Sequence, residues 1–238
     1  MVSQIKLGDV TVDVLLKDIK NVHLSVHPPT GRVRISAPSR MKMDTIRVFA
    51  ISKLAWIRQQ QKKLRDQDRE TPREYVDRES HYLWGRRVLL KVVEADATSS
   101  VRLQHRQLLL QVRPDSDEEA REAVASAWYR DLLKTAVPPL VEEWEPRLKV
   151  SVAGFFVRQM KTKWGSCNPA SRTIRLNTEL VKKPKDLLEY VVVHVMVHLI
   201  APTHSEQFVA FISRHYPSWR EARAELNELP LGAEVWKE

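Results

Sequence analysis

The segment VVVHVMVHLIAPTHSEQF, residues 191–208, carries three of the eight histidines in the chain: His194, His198 and His204. Side chains four apart share one face of a helix, so a helix through this run sets the first two imidazoles side by side. Imidazole nitrogens are zinc ligands, and three of them leave a fourth coordination position for water, the open arrangement of a catalytic site. Pro202 ends the helix, and the chain must turn before His204 can return toward the same point. Random placement of the histidines gives roughly 0.3 H-x3-H pairs, and roughly 0.01 when the third histidine is also required. The triple is therefore a candidate metal site. The competing reading places two histidines in the core and one on the surface.

In the hydrolase pattern H-E-x-x-H, the residue after the first histidine is a glutamate general base. It takes a proton from metal-activated water and later delivers it to the leaving group. Here that residue is Val195. Valine transfers no proton, and loss of a general base costs about 10²–10⁴-fold in rate. Three accounts stand open: a natural loss that leaves a metal-binding protein, a substitution that disables an active parent, or a replacement carboxylate. Glu189 and Glu206 are the nearest acids. Glu189 lies five residues before His194, about 140° around the helix. Glu206 opens the following helix, where an acid is favoured simply by the helix dipole.

These residues need elements to hold them. The run KPKDLLEYVVVHVMVHLIAP predicts a helix over 185–201, with Leu187, Tyr190, Val191, His194, Val197, His198 and Ala201 spread over one broad buried face. Two shorter helices are expected near 205–215 and 218–228. Upstream, GFFVRQMKTKWGSCNPASRTIRLNTEL predicts two strands around a turn at 167–172. Ser116 and Glu119 have capping-box spacing and open a helix that Pro138-Pro139 should interrupt. Residues 2–37 alternate in short apolar runs around a turn at 27–31 and predict a small antiparallel sheet. Asp44 opens a long helical pattern, and YLWGRRVLLKVVEA and RLQHRQLLLQVRP predict further strands. The expected fold class is α+β: a mostly antiparallel β-rich N-terminal region with a long linking helix over 1–114, then a metal-binding domain over 115–238. No internal repeat is legible.

The composition, with 43% hydrophobic and 29% charged residues, is that of a globular protein. No apolar run reaches membrane-spanning length. The single cysteine, Cys167, permits no internal disulfide, and the start of the chain has no signal-peptide apolar stretch, so a cytoplasmic protein is expected. Net charge is +9 and uneven: residues 1–110 hold 21 Lys and Arg against 12 Asp and Glu, while residues 111–238 hold 18 of each. A basic half beside a neutral half points to an anionic partner such as nucleic acid, or else only to a solvated surface.

The C-terminal third resembles the YgjP-like family of zinc metallopeptidases. The matching residues are Trp164-Gly165-Ser166-Cys167, Leu176-Asn177, Tyr190 to His194, His198-Leu199, His204-Ser205, Phe208 and Trp219. The stretches RVRISAP…LAWI and YLWGRRVLL are also similar to that family's leading region. The resemblance implies a zincin-like C-terminal domain, one Zn2+ per chain held by His194, His198 and His204, and a peptide or protein substrate. It also marks Val195 as the departure, at the position of the catalytic glutamate.

Further residues are candidates for substrate binding. Trp164 is either core or a cleft wall. Lys161 and Lys163 lie on RQMKTKW, read as an edge strand to which a peptide can pair. Asn177 either caps the next segment or faces the cleft. With Arg158 and Arg175, the two lysines define a rival reading, zinc-dependent hydrolysis of a nucleoside triphosphate. A second rival is a silent metal-binding module that contacts nucleic acid through residues 1–110. Lys62, Lys63 and Arg65 with Arg86-Arg87 are its candidate cations. Cys167 is read as a small buried residue at a hairpin.

Overall fold

The computed structural model describes residues 2–27, 31–65, 73–160 and 163–229. It divides into two compact units, Met1–Arg69 and Glu70–Glu238. The boundary expected near 114 lies inside the second unit. The strands before it share one core with the C-terminal helices, including Leu108, Leu110, Tyr129, Leu133 and Leu187.

The first unit holds β1 (Val2–Leu7), β2 (Val10–Lys17), β3 (His23–His27) and β4 (Arg32–Pro38), in the order β1-β2-β4-β3. The outer pairs are antiparallel hairpins. The central pair β2/β4 runs parallel, with Val12 opposite Val33, so the expected antiparallel sheet is corrected to a mixed one. Pro28–Thr30 lie outside the described residues, but the flanking β3/β4 register is that of the expected hairpin. The long helical pattern is two helices, α1 (Met43–Ser52) and α2 (Leu54–Arg65), separated at Lys53. Ile46, Ala50 and Ile57 seat them on Val12, Val33 and Ile35, all buried. Asp13 is buried beneath this sheet, accepting from Arg32 Nε at 2.5 Å and Gln4 Nε2 at 2.9 Å.

The second unit begins with β5 (Ser80–Leu83), β6 (Arg86–Glu94), β7 (Ser100–Gln104) and β8 (Gln107–Val112). Their order is β5-β6-β8-β7, again with a parallel centre and antiparallel flanks. The two sheets thus share one topology, a repeat that the sequence hides. Its only common trace is alternation: Val33, Ile35 and Ala37 in one, Leu108, Leu110 and Val112 in the other, all buried.

Helix α3 (Glu118–Leu148) is continuous through Pro138, Pro139 and Pro146. An interior proline costs about 3 kcal/mol. Here Leu133, Val137, Trp144 and Leu148 are buried on both sides of the proline pair, and each buried large side chain returns about 1.5–3 kcal/mol. Packing wins over local propensity. The cap is Asp117, which accepts from Ala120 N at 2.8 Å, rather than Ser116, whose hydroxyl donates to Arg113 O.

A second sheet of this unit, β9 (Gly154–Arg158), β10 (Gly165–Asn168) and β11 (Thr173–Asn177), has the order β10-β11-β9. The first expected strand is therefore two. The chain leaves β9 at Arg158, passes β11 and returns antiparallel on its other side as β10, while β9 pairs parallel with β11. A 3-10 turn (Thr178–Lys182) leads into α4 (Lys185–Val197), then α5 (Glu206–His215) and α6 (Trp219–Glu228). Among the described residues no helix is long and apolar enough to cross a membrane.

Candidate metal centre

Helix α4 is apolar nearly all round, with nine buried residues from Leu187 to Val197. That composition places it in the core and brings His194 and His198 to its C-terminal end. The helix stops at Val197, earlier than expected, in a tightened turn: Leu199 N bonds Met196 O and Ile200 N bonds Val197 O, both at 3.0 Å. The tightening lets His198 Nδ1 donate to Ala201 O at 3.0 Å. After Pro202 the chain turns into α5, capped by the Ser205 hydroxyl on Phe208 N. His204 sits in that turn and points back at α4.

The three imidazoles converge. Their ligand nitrogens all lie within 4.8 Å of one another, and His204 Nε2 is 3.0 Å from His194 Nε2. The Phe208 ring backs the cluster, with its centroid 5.0, 4.7 and 4.8 Å from those of His194, His198 and His204. The outer nitrogens are engaged: His198 Nδ1 by Ala201 O, and His194 Nδ1 by the Tyr190 hydroxyl at 3.4 Å. The Ala201 carbonyl fixes the His198 tautomer that leaves Nε2 as the metal donor, and the Tyr190 hydroxyl orients the His194 ring. Burial pushes the His194 pKa down to about 3, with the neighbouring His198, His204 and Arg223 charges acting in the same direction. Burial, His198 and Arg223 lower that of His204 as well. Neutral imidazole is the metal-binding form. Three converging imidazole nitrogens, two of them on rings whose outer nitrogens are engaged, fit a zinc ion.

The cluster opens into a cleft of about 570 Å³. Val195 forms part of its lining although only 1% exposed, so the position of the expected base faces the cleft with a methyl surface. Lys163, Trp164 and Cys167 line it from the β10 side. Trp164 is thus a wall, half-buried under the Lys183 ammonium at 5.8 Å. Burial raises the Cys167 thiol pKa, which keeps it in the unreactive form.

Other candidates are placed elsewhere. Asn177 is 1% exposed and its polar atoms are used internally: Nδ2 donates to Met160 O and Lys163 O, while Oδ1 accepts from Met160 N and Glu179 N. It caps the 3-10 turn and clamps the loop before β10, and does not line the cleft. Arg175 and Arg158 project from β11 and β9 and are not in its lining, and Lys161 lies outside the described residues. Among the described members of that quartet, only Lys163 lines the cleft that the histidines line. Of the run RQMKTKW, expected as an edge strand, Arg158 ends β9, while Gln159, Met160, Lys163 and Trp164 lie outside any strand; among the described residues the strand edge at the cleft belongs to β10. Glu189 accepts from Trp144 Nε1 at 2.9 Å, and Glu206 stands exposed at the start of α5, so neither lines the cleft.

Arg223, on α6, was not legible as a site residue. It lines the cleft and lowers the pKa of both His194 and His204. Nothing in WREARAEL marks it, because a helical Arg one turn after Trp219, among other charged residues, looks like any solvated face.

The YgjP-like metallopeptidase domain matches residues 20–229, nearly the whole chain. The chain belongs to that family. As a YgjP-like metallopeptidase-family protein it carries the expectation of a metal, and the three-histidine cluster is the donor set that meets it. Two solved structures are similar over a shorter span. One is the metallopeptidase zymogen abylysin of Pyrococcus abyssi: 21% identity, TM-score 0.36, covering 38% of this chain and 90% of that one. The other is the zymogen jannalysin of Methanocaldococcus jannaschii: 22% identity, TM-score 0.33, covering 37% and 90%. No curated protein sequence matches this YgjP-like chain.

Proposed function

We propose that the chain binds one zinc ion through His194, His198 and His204 and takes a peptide into the adjoining cleft, with hydrolysis curtailed by Val195. The observation that carries this reading is the convergence of three imidazoles on a cleft that Val195 helps to line.

Zinc held by three such ligands supplies the Lewis acidity that makes water nucleophilic near neutral pH. The chain's own residues supply the rest. Strand β10 is an edge of its sheet and its Gly165, Ser166 and Cys167 line the cleft, so an extended peptide pairs along it. Arg223 offers guanidinium donors to a carbonyl oxygen that gains negative charge. Tyr190 holds the His194 ring through Nδ1. No residue at 195 accepts the water proton, and the expected deficit is about 10²–10⁴-fold. The absence of Arg158 and Arg175 from the cleft lining disfavours triphosphate hydrolysis at this centre.

The test is metal analysis of the purified chain beside His204→Ala, with peptide hydrolysis followed before and after Val195→Glu. About one zinc per chain that the histidine variant loses, with hydrolysis gained by the glutamate variant, is expected. A chain that takes up no zinc refutes the centre.

A further inference from the structure

A second cavity lies away from the histidines, at the opposite end of α4. It encloses about 920 Å³ and is built from the β5–β6 turn, the β7–β8 turn and Pro184-Lys185. Lys185 opens α4, and His194 follows nine residues later, about 13 Å along the axis and half a revolution around it. The cavity is therefore separate from the peptidase cleft.

Its chemistry is one-sided. Arg86, Arg87, Arg106 and Lys185 line it, with His105, and no Asp or Glu does. Among the described residues none of these four cations enters an ion pair; Arg87 Nε donates only to the Ser80 hydroxyl. The floor is apolar, from Leu83, Val88, Leu103 and Pro184, with Trp84 beside them. Three of the cations belong to the basic half of the sequence, so this cavity gathers part of the charge excess into one place.

The frame is rigid. Trp84 and Gly85 take positive φ, 50° and 76°, and their N–H groups donate to Val181 O and Lys182 O at 2.8 and 3.1 Å. A Cβ on Gly85 would stand 2.8 Å from Pro184 Cγ, so the turn is laid directly on the residue before α4. Pro184 gives that helix no side-chain cap, and the positive end of its dipole faces the same region.

We propose that this cavity binds a nucleotide, its phosphates on the guanidinium groups and its base against Trp84 and the apolar floor. Arginine forks match phosphate oxygens in pairs, and flat apolar and aromatic surfaces accept any base by stacking. The volume suits a ligand of that size. An acidic peptide fits less well, because extended peptides bind along a strand edge, and this lining is drawn from the ends of two hairpins rather than from the length of one edge. The ligand is either a free nucleotide or one residue of a single-stranded nucleic acid. The inference does not depend on the metal centre.

The experiment is fluorescence anisotropy of labelled oligothymidylate with the full chain, at several salt concentrations, with ATP as competitor. The variant combining Arg86→Ser, Arg87→Ser and Arg106→Ser is expected to bind at least about tenfold more weakly, with the salt slope reduced by about 0.7 for each phosphate no longer neutralised. A control combining Lys17→Ser, Lys20→Ser and Arg47→Ser removes the same charge elsewhere and is expected to stay within about twofold. Competition by ATP assigns the site to free nucleotide; binding of the oligonucleotide that ATP does not displace assigns it to a strand. Absence of binding, equal weakening in the control, or displacement by polyglutamate as effective as by unlabelled oligothymidylate overturns the proposal. Unchanged zinc content and thermal midpoint in the triple variant show that neither the fold nor the metal centre is the cause.

Discussion

A Cβ on Gly165 would lie 2.8 Å from Val195 Cγ1, with Val191 Cγ1 and Arg175 O each 3.1 Å away. The backbone of β10 is therefore laid directly on α4, at the residue where the family's glutamate is expected. The Val195 side chain is packed against β10 at the inner edge of the cleft. This contact joins two elements of the site, the edge strand that lines the cleft and the helix that brings His194 and His198 to its end.

Gly165→Ala is expected to destabilise the protein by about 1–3 kcal/mol, as forced overpacking of a filled core does. Two of the opposing atoms belong to buried, β-branched side chains and the third to backbone, so none yields easily. Denaturant unfolding of zinc-loaded protein measures it. A variant as stable as the parent would show that α4 and β10 are not in close contact.

Val195→Glu is expected to raise peptide hydrolysis by about 10²–10⁴-fold over a low baseline. Val195→Gln, which matches its size but takes no proton at neutral pH, should remain at baseline. A fluorogenic peptide library read by fluorescence separates the two. Zinc-loaded Val195→Glu that cleaves no better than Val195→Gln would mean that the missing base is not what limits this chain.

The legible part of this protein was the part with a short period and a chemical signature. The H-x3-H-x5-H spacing placed His194, His198 and His204 together because a helix fixes the first pair and Pro202 forces the turn. What failed was decided at longer range. Pro138 and Pro139 read as a break, but burial of Val137 and Trp144 carries α3 through them. RQMKTKW read as a strand, but the side chain of Asn177, in contact across sequence, takes the backbone groups of Met160 and Lys163 that a strand ladder would use. The boundary read near 114 followed local pattern, whereas the core that unites Leu108 with Leu187 ignores it. Arg223 and the cavity around Arg86 were invisible because only folding brings their partners near.

Zinc uptake by the metal-free protein at pH 6 is expected to release well under the roughly two protons that three ordinary imidazoles would release. The sign follows from the shifts: His194 is held down to about 3, chiefly by burial, and His204 is lowered too. His194 is neutral already at that pH and has no proton to give, and the lowering at His204 acts in the same direction. Calorimetry in two buffers of different ionisation enthalpy counts the protons. The same shifts make the metal-free fold lose stability as pH falls through about 6.5, because the unfolded chain gains protons that the folded site refuses. Release of two or more protons would show that the imidazoles are solvated and apart in the metal-free state.

Asn177→Ala tests whether the cleft depends on a buried residue that never meets substrate. Its amide satisfies two carbonyls and two N–H groups within a site only 1% exposed. Truncation leaves these groups without their partner, and the expected loss of stability is about 3 kcal/mol. The metal ligands sit on α4 and the turn after it, so zinc content should be unchanged at a temperature where the variant is folded. Lys163 and Trp164, which the clamp positions, lose their fixed place. Measured in the Val195→Glu background, the variant should therefore show weakened peptide cleavage through a higher KM at full zinc occupancy. If cleavage is unaffected in folded, zinc-loaded protein, the loop before β10 takes no part in holding the peptide.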